Sequence, residues 1–140
     1  MPGERVLGLD LGQARIGVSI SDDRGRLAVP FGTIHTGAPQ DVKAIAKLVA
    51  EHGIGRIVIG LPLSLKGERG AAAAHAERFA EALRGFLDVP VELQDERLST
   101  VEADRVLRQS GAGGRQRRRS IDASAATVIL QSWLDAHRRD

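Results

Sequence analysis

The sequence predicts an α/β fold in which helices flank a mixed five-stranded sheet. Two patterns support this prediction. The first part of the chain has short apolar runs with strand-like alternation and short connections, which is typical of an antiparallel meander. The remainder alternates between helical and strand patterns, which predicts a mixed central sheet covered by helices. With 140 residues the chain is long enough to bury a core, and we expect a single domain over residues 1–140.

The predicted meander consists of three strands. The first covers residues 6–9, and the second covers residues 15–21 and leads into a turn that ends in Gly25. The third covers residues 26–34. It is expected to bend or break at Pro30, because proline cannot donate a hydrogen bond to a neighbouring strand.

The second part of the chain adds helices and two further strands. Apolar residues at helical spacing predict four helices, over 41–52, 71–87, 99–109 and about 121–137. Short apolar runs predict buried strands at 56–60 and 89–93. Ser120 is expected to cap the last helix. Glycine-rich, charged segments at 61–70 and 111–119 are predicted to form mobile loops.

Composition narrows the class of protein. The chain has no apolar run of membrane-spanning length and no apparent leader, so we expect a cytoplasmic protein with no membrane partner. It has no cysteine, which excludes disulfides, thiolate metal sites and a cysteine nucleophile. The net charge is only +2, but the basic residues concentrate late in the chain, in Arg115, Arg117, Arg118 and Arg119.

The motif Gly8-Leu9-Asp10-Leu11-Gly12 places one carboxylate where the first strand is expected to leave the core. Burial disfavours an isolated charged carboxylate, and flanking glycines leave room for a ligand to approach the backbone. The motif is therefore typical of a metal or phosphate site. The alternative is an ordinary strand-ending turn, since aspartate and glycine are common turn residues.

Other carboxylates are expected to lie near Asp10. Asp95 and Glu96 follow the last predicted strand, and Asp122 lies near the start of the last helix, close to its apolar stripe. The alternative for Asp122 is that it only complements the helix dipole. Two carboxylates 4 Å apart repel by about 4 kcal/mol at an effective dielectric constant of about 20, which a divalent cation would offset. Oxygen ligands favour Mg²⁺ or Mn²⁺, which can activate water and stabilise phosphate charge.

Four blocks of the sequence stand out along the chain. They are Gly8-Leu9-Asp10-Leu11-Gly12 with Arg15-Ile16-Gly17-Val18 and Ser21-Asp22; Gly60-Leu61-Pro62 with Gly67 and Gly70; Asp95-Glu96-Arg97-Leu98-Ser99-Thr100 with Glu102-Ala103; and Asp122-Ala123-Ser124-Ala125-Ala126 with Ile129-Leu130-Gln131. Together these blocks resemble the YqgF family, also called RuvX. The blocks occur in the family's order over nearly the whole chain. In the second block, Leu65-Lys66 stands where the family more usually has methionine followed by Asp or Asn.

This resemblance implies a ribonuclease-H-like fold related to RuvC resolvases, with a divalent metal held by carboxylates. It also implies a cytoplasmic nuclease that processes the 5′ end of precursor 16S ribosomal RNA; members are also described as Holliday-junction resolvases. By position, Asp10, Glu96 and Asp122 would be the catalytic metal ligands. Asp95 would be a fourth ligand or an outer-sphere group.

Basic residues near these acids are candidates for substrate contacts. The arginines at 115, 117, 118 and 119 are expected to clamp phosphates, with Lys66 and Arg69 in a similar role. Arg15 and Arg97 are expected to orient the carboxylates. The alternative is that the charged segments are simply solvated loops.

Few aromatic side chains are left for stacking bases. The chain has three phenylalanines, one tryptophan and no tyrosine. Phe79, Phe86 and Trp133 lie on apolar helix faces and are expected in the core. We therefore expect recognition of backbone shape with weak base preference.

The expected partner is a structured RNA, including pre-ribosomal particles, and the expected state is a monomer or a homodimer. Branched DNA, cut by a junction resolvase, is the alternative substrate. A further alternative is a nucleotide-binding domain of the actin and sugar-kinase type. Such proteins need two of these domains around the nucleotide, whereas 140 residues supply only one. A non-catalytic ribosome-assembly factor would bind RNA through the arginines without cleaving it.

Overall fold

The computed structural model describes residues 4–62, 70–96 and 115–137, and within this set it describes the side chains of 4–62, 70–96 and 125–137. Five strands form one sheet: β1 (Arg5–Leu11), β2 (Arg15–Ser21), β3 (Ala28–His35), β4 (Ile54–Leu61) and β5 (Val91–Asp95). Their spatial order is β3-β2-β1-β4-β5. The β1–β2 and β2–β3 pairs are antiparallel, whereas β1–β4 and β4–β5 are parallel. The predicted mixed five-stranded sheet is confirmed.

Helices cover both faces of this sheet. They are α1 (Gln40–His52), α2 (Ala71–Phe86) and α3 (Arg115–Ala136). Leu7 and Leu9 of β1 point into a core with α1 and α2, whereas Val6 belongs to a separate core with α3. This division follows from the two-residue period of a strand. It places every even-numbered residue of β1, including Asp10, on the α3 face.

The turn between β2 and β3 is organised by Asp22. One of its carboxylate oxygens, Oδ1, accepts hydrogen bonds from the backbone N–H groups of Arg26 at 2.8 Å and Leu27 at 3.3 Å. Gly25 adopts the left-handed conformation, with φ of 69°. The bond from Arg26, supported by those from neighbouring amides, lowers the pKa of Asp22 below its ordinary value of 3.8.

Several strand limits differ from those predicted. β3 begins at Ala28 rather than at residue 26, and the register with β2 shifts at Val18/Ser19, beside Pro30. The expected irregularity at Pro30 is therefore confirmed. β4 is longer than predicted, and β5 begins two residues later than predicted, after Pro90. The last strand consequently includes Asp95.

The last helix begins earlier than predicted. α3 starts at Arg115, so Ser120 lies inside the helix and the prediction that it forms the N-cap is wrong. The segment 115–119, predicted as loop, is helical instead. Arginine and glutamine have helix propensities close to that of alanine, so this basic segment extends the helix readily. The predicted helix over 99–109 lies outside the residues that the structure describes.

The apolar core is largely as expected. Phe79 and Trp133 are both 8% exposed and belong to the two cores. Phe86 is 56% exposed, so its predicted place in the core is wrong; it is the last residue of α2 and lies beyond the sheet-facing stripe. In the described parts of the chain, no helix is long and apolar enough to cross a membrane.

Candidate active site

Asp10 is a buried carboxylate near the carboxyl end of β1. It is 3% exposed, and the strand continues one residue further to Leu11. The prediction that Asp10 ends the strand is therefore wrong by one residue. Because the strand alternates, Asp10 lies on the α3 face while Leu9 packs into the core on the opposite face.

The strands on both sides of Asp10 carry glycine at the neighbouring position. On β2, Asp10 pairs with Gly17. On β4, Leu9 pairs with Ile59, which brings Asp10 beside Gly60, the next residue. Neither neighbour has a side chain to cover the Asp10 carboxylate. The sheet therefore leaves space around this carboxylate, although it is buried beneath other elements.

Glu96 lies on the same face at the carboxyl end of β5, which is separated from β1 by β4. It directly follows β5, and its backbone N–H donates to the Leu61 carbonyl at 3.3 Å. The residue is 5% exposed, whereas the preceding Asp95 is exposed. A Cβ atom added to Gly60 would lie 2.4 Å from Glu96 Oε2 and 2.5 Å from Ile129 Cδ1. The Glu96 carboxylate therefore occupies the space that the missing Gly60 side chain leaves between sheet and helix.

Helix α3 packs unusually closely on the sheet beside these acids. Ser19 Oγ donates to the carbonyl of Ala126 at 2.9 Å. A Cβ atom on Gly8 would lie 2.7 Å from Leu130 Cβ and 3.1 Å from the Ala126 carbonyl oxygen. Glycine in the strand and alanine in the helix thus bring the two backbones together.

The direction of α3 places position 122 level with Asp10. Ile129 contacts Gly60, and one turn later Trp133 contacts Glu92, which pairs with Val58. The helix therefore runs antiparallel to β4 and β1. Four helical residues rise about 6 Å and two strand residues about 6.6 Å. Since Ala126 lies over Gly8, Asp122 lies one turn further along the helix, at the height of Asp10.

The longer helix also excludes the alternative explanation for Asp122. Asp122 is the eighth residue of α3, and the first turn contains no acidic residue. Stabilisation by the helix dipole fades within the first turn. Asp122 therefore does not serve as a dipole-complementing residue, contrary to that alternative.

The donor chemistry at this strand edge fits a hard divalent cation. Asp10 and Glu96 supply carboxylate oxygens, which Mg²⁺ and Mn²⁺ prefer. Among the side chains that the structure describes, no group of three His, Cys, Asp or Glu residues could hold a metal ion. The side chain of Asp122 lies outside this set. The described site thus contains two of the three predicted ligands on one face, and the backbone of the third lies one helical turn before Ala126.

The structure describes some of the basic residues that were predicted to contact substrate or orient the acids, but not all of them. The arginines at 115, 117, 118 and 119 lie on the first turns of α3, about 5–10 Å beyond the height of Asp10 at 1.5 Å per residue. Arg15 begins β2, and its carbonyl accepts a bond from Gly12 N at 2.9 Å, which closes the loop after β1. Lys66, Arg69 and Arg97 lie outside the described residues.

The opposite end of α3 is anchored at the amino ends of the strands. The Arg56 guanidinium lies 5.5 Å from the Trp133 ring centroid and forms ion pairs with Glu4 and Glu92. Burial would lower the pKa of Arg56, but these two glutamates outweigh that effect and raise it. Gln131 adds a backbone-like pairing, since its amide accepts from Ala28 N at 2.8 Å and donates to the Arg26 carbonyl at 2.9 Å.

Comparison with known proteins supports the resemblance seen in the sequence. A family model described as "RuvX: Holliday junction resolvase" matches residues 4–136. The chain belongs to the RuvX family. This RuvX chain is 48% identical over 139 residues to a protein of Chloroflexus aggregans named "Putative pre-16S rRNA nuclease", with 99% of this chain and 98% of that protein covered. A protein of the same name from Anaeromyxobacter is 49% identical over 132 residues, with 94% and 96% covered.

Solved structures support the predicted fold. The RuvX chain superimposes on Thermus thermophilus RuvC in complex with a Holliday junction substrate with a TM-score of 0.59 and 14% identity, covering 95% of this chain and 94% of that chain. A second structure of Thermus thermophilus RuvC gives a TM-score of 0.56 at 13% identity, with 94% of this chain and 95% of that chain covered. The expected ribonuclease-H-like fold related to RuvC is confirmed.

Sequence reasoning assigned no role to Ser19, Gly17 or Gly60, although both glycines lie in the blocks that resemble the family. Each lies on the α3 face of a strand, beside a predicted acid or beneath the helix that carries one. A small or polar residue at an inward position of an otherwise apolar strand was the available signal. Its meaning depended on which strands become neighbours.

Proposed function

We propose that this chain is a divalent-metal-dependent nuclease that hydrolyses phosphodiester bonds in the cytoplasm. The substrate is structured RNA, at the 5′ end of precursor 16S ribosomal RNA in pre-ribosomal particles. The observation that carries the proposal is the pair of buried carboxylates, Asp10 and Glu96, on one face at the carboxyl ends of β1 and β5, the two strands that flank β4. The names of the curated relatives support the choice of RNA substrate.

Asp10, Glu96 and Asp122 are the proposed ligands of Mg²⁺ or Mn²⁺. A bound ion of this kind supplies an activated water and neutralises charge that develops on the phosphate. The protein's own contribution is to hold carboxylate oxygens where water cannot screen them. Two like charges in a buried place repel, so this arrangement favours the cation-bound state over the empty one.

The two acids at 95 and 96 differ in their surroundings, and this difference supports different roles for them. Glu96 is buried against Gly60, whereas Asp95 is exposed at the end of an edge strand. We assign the ligand role to Glu96. Asp95 is left outside the proposed ligand set.

The arginines on the first turns of α3 are the proposed contacts to substrate phosphates. They precede Asp122 on the same helix, about 5–10 Å beyond the height of Asp10. Phosphate contacts at this distance orient a backbone without reading its bases. Lys66, Arg69, Arg15 and Arg97 keep their proposed supporting roles, the first two toward phosphates and the last two toward the carboxylates.

Neutralising the buried acids tests the proposed activity. Asp10→Asn and Glu96→Gln are each expected to reduce cleavage by at least about 100-fold, because even partners of metal ligands typically contribute 10–100-fold. Asp95→Asn is expected to retain most of the activity. The measurement is cleavage of labelled precursor RNA with Mg²⁺ or Mn²⁺, with circular dichroism as the control for folding.

The outcome for each acid is informative by itself. Full activity of folded Asp10→Asn would disprove the metal-dependent mechanism. Loss of activity in Asp95→Asn with retention in Glu96→Gln would instead reverse the assignment of the two neighbouring acids.

A junction resolvase is the second candidate function, because the matching family model carries that description. Four-way DNA junctions and structured precursor RNA should be compared side by side at equal concentration. Faster turnover of the junction would favour the resolvase. Metal-independent RNA binding without any cleavage would favour a non-catalytic assembly factor.

A further inference from the structure

Among the described buried serines and acids outside the proposed ligands, Ser19 reaches across to another layer of the fold. Asp41 accepts a hydrogen bond from Gly37 N at 3.1 Å, within its own helix start. Ser21 accepts from Val6 N at 2.8 Å, within the sheet. Ser19 is different: it is fully buried, and its hydroxyl donates to the carbonyl of Ala126, 107 positions later in the chain.

We propose that Ser19 is a positioning residue that sets where α3 lies on the sheet, and therefore where Asp122 lies relative to Asp10. The proposal rests on the nuclease function above, because the position of Asp122 matters through its proposed role as a metal ligand. Asp122 precedes Ala126 by one helical turn. A rigid turn transmits any shift of the Ala126 carbonyl directly to position 122.

The apolar contacts of α3 cannot set this position by themselves. Ile129 and Leu130 are buried against the sheet, but apolar contacts have no preferred direction and tolerate sliding along the helix axis. A hydrogen bond restricts both distance and angle. Gln131 makes two such bonds to the sheet further along the helix. The 2.9 Å bond from Ser19 is the directional contact at Ala126, one turn from Asp122, and it fixes the axial position of the helix there.

Gly8 limits how closely the helix can approach the sheet at the same place. A Cβ atom on Gly8 would lie 2.5 Å from Ser19 Oγ and 2.7 Å from Leu130 Cβ. The helix backbone already rests against the strand there, so it has no room to move closer. Ser19 and Gly8 together form one contact point for the helix, directly beside the proposed ligand Asp10.

Ser21 provides a matched control for Ser19. Both are buried serines on the same strand and the same face, with Ser21 2% exposed and Ser19 0% exposed. Ser21 hydrogen-bonds to Val6 N and the Asp22 carbonyl, neither of which belongs to α3. Replacing either serine by alanine removes one buried hydroxyl, but only Ser19→Ala removes a hydrogen bond to α3.

The test measures binding of Mn²⁺ alone, without substrate, by electron paramagnetic resonance of the free ion. Ser19→Ala is expected to weaken Mn²⁺ binding by about tenfold or more, the range typical for residues that orient metal ligands. Ser21→Ala is expected to stay within about twofold of the wild type. Gly8→Ala is a second variant that disturbs the same contact point while the Ser19 hydroxyl is still present. It should also weaken Mn²⁺ binding.

The outcomes separate this proposal from the proposed function. If Ser19→Ala binds Mn²⁺ as tightly as Ser21→Ala does, the positioning role is disproved while the nuclease function stands. If the wild type binds Mn²⁺ no better than Asp10→Asn does, the metal-dependent function fails and the positioning role fails with it. Should Ser19→Ala not fold, undiminished Mn²⁺ binding by folded Gly8→Ala would overturn the proposal.

Discussion

At the scale of single residues, a glycine provides the space that a neighbouring buried carboxylate occupies. Gly60 has no positive φ that would require glycine, but its missing side chain makes room for the Glu96 carboxylate and the Ile129 methyl group. An alanine at this position would compete for the space that Glu96 fills. The glycine is therefore required for close approach rather than for backbone conformation.

Gly60→Ala is expected to damage both the site and the packing. The added Cβ would lie 2.4 Å from Glu96 Oε2, so the carboxylate or α3 must move. We expect cleavage to fall by about 10–100-fold and the free energy of unfolding to fall by about 1–3 kcal/mol. Urea unfolding and the RNA cleavage assay measure the two effects.

Gly85→Ala is the matched control for this substitution. Gly85 lies near the end of α2, is exposed, and has no atom within 4 Å of an added Cβ. Alanine there should raise stability by about 0.5–1 kcal/mol through helix propensity and leave cleavage unchanged. Equal cleavage by the Gly60 and Gly85 variants would contradict the role of Gly60.

At the scale of elements, α3 serves as both anchor and substrate contact. Its second half packs against the sheet through Ile129, Leu130 and Trp133. Its 22 residues span about 33 Å, whereas the seven residues of β1 span about 23 Å. The first turns therefore extend past the strand ends, and these turns carry the arginines.

The arginines at the start of α3 should contribute to binding rather than to stability. Positive charges at a helix N-terminus oppose the dipole by about 0.3–1 kcal/mol each at low salt. The combined variant Arg117→Gln, Arg118→Gln and Arg119→Gln should therefore melt at the same or a higher temperature. Its RNA affinity should fall, and the slope of log affinity against log salt should decrease by about 1 for each phosphate that the variant no longer neutralises.

Arg78→Gln is a suitable control for this charge change. Arg78 is exposed on α2, on the other face of the sheet. Its removal should leave RNA affinity nearly unchanged. If the α3 variant also kept its affinity and salt dependence, the arginines would not contact phosphates.

At the scale of the whole molecule, anchoring and proposed chemistry lie at opposite ends of the sheet. The amino ends of β4 and β5 carry the Arg56–Glu92–Trp133 cluster. The carboxyl end of β1 and the residue after β5 carry the buried acids Asp10 and Glu96, with Gly60 of β4 between them. Bound metal would tie β1, β5 and α3 together at the second end, so metal and overall stability should be linked.

Metal binding is therefore expected to raise the melting temperature of the wild type. A ligand at 100 times its dissociation constant adds about 2.7 kcal/mol, which corresponds to about 5–10 °C at 2–4 °C per kcal/mol. Asp10→Asn should lose this increase in Mn²⁺, and the exposed Asp88→Asn should keep it. Differential scanning calorimetry with and without Mn²⁺ measures the effect; an equal increase in Asp10→Asn would place the metal elsewhere.

The sequence by itself determined the elements and the fold class. Alternation in β1 and the helical stripe of α2 depend on which residues need burial, and this requirement is local enough to read along the chain. The predicted ends of helices and strands were less accurate where local preferences compete. Ser120 is a good cap in isolation, but the preceding arginines are good helix formers and extend α3.

The tertiary structure alone decided which residues meet. Asp95 and Glu96 are adjacent acids, and only the shifted end of β5 buries the second and exposes the first. Ser19 acquires its role from Ala126, 107 positions later in the chain, and Gly60 acquires its role from Glu96 and Ile129, 36 and 69 positions later. The physical reason is that hydrogen bonds and steric fit act over a few ångströms, and which atoms come that close depends on strand order and on how α3 crosses the sheet.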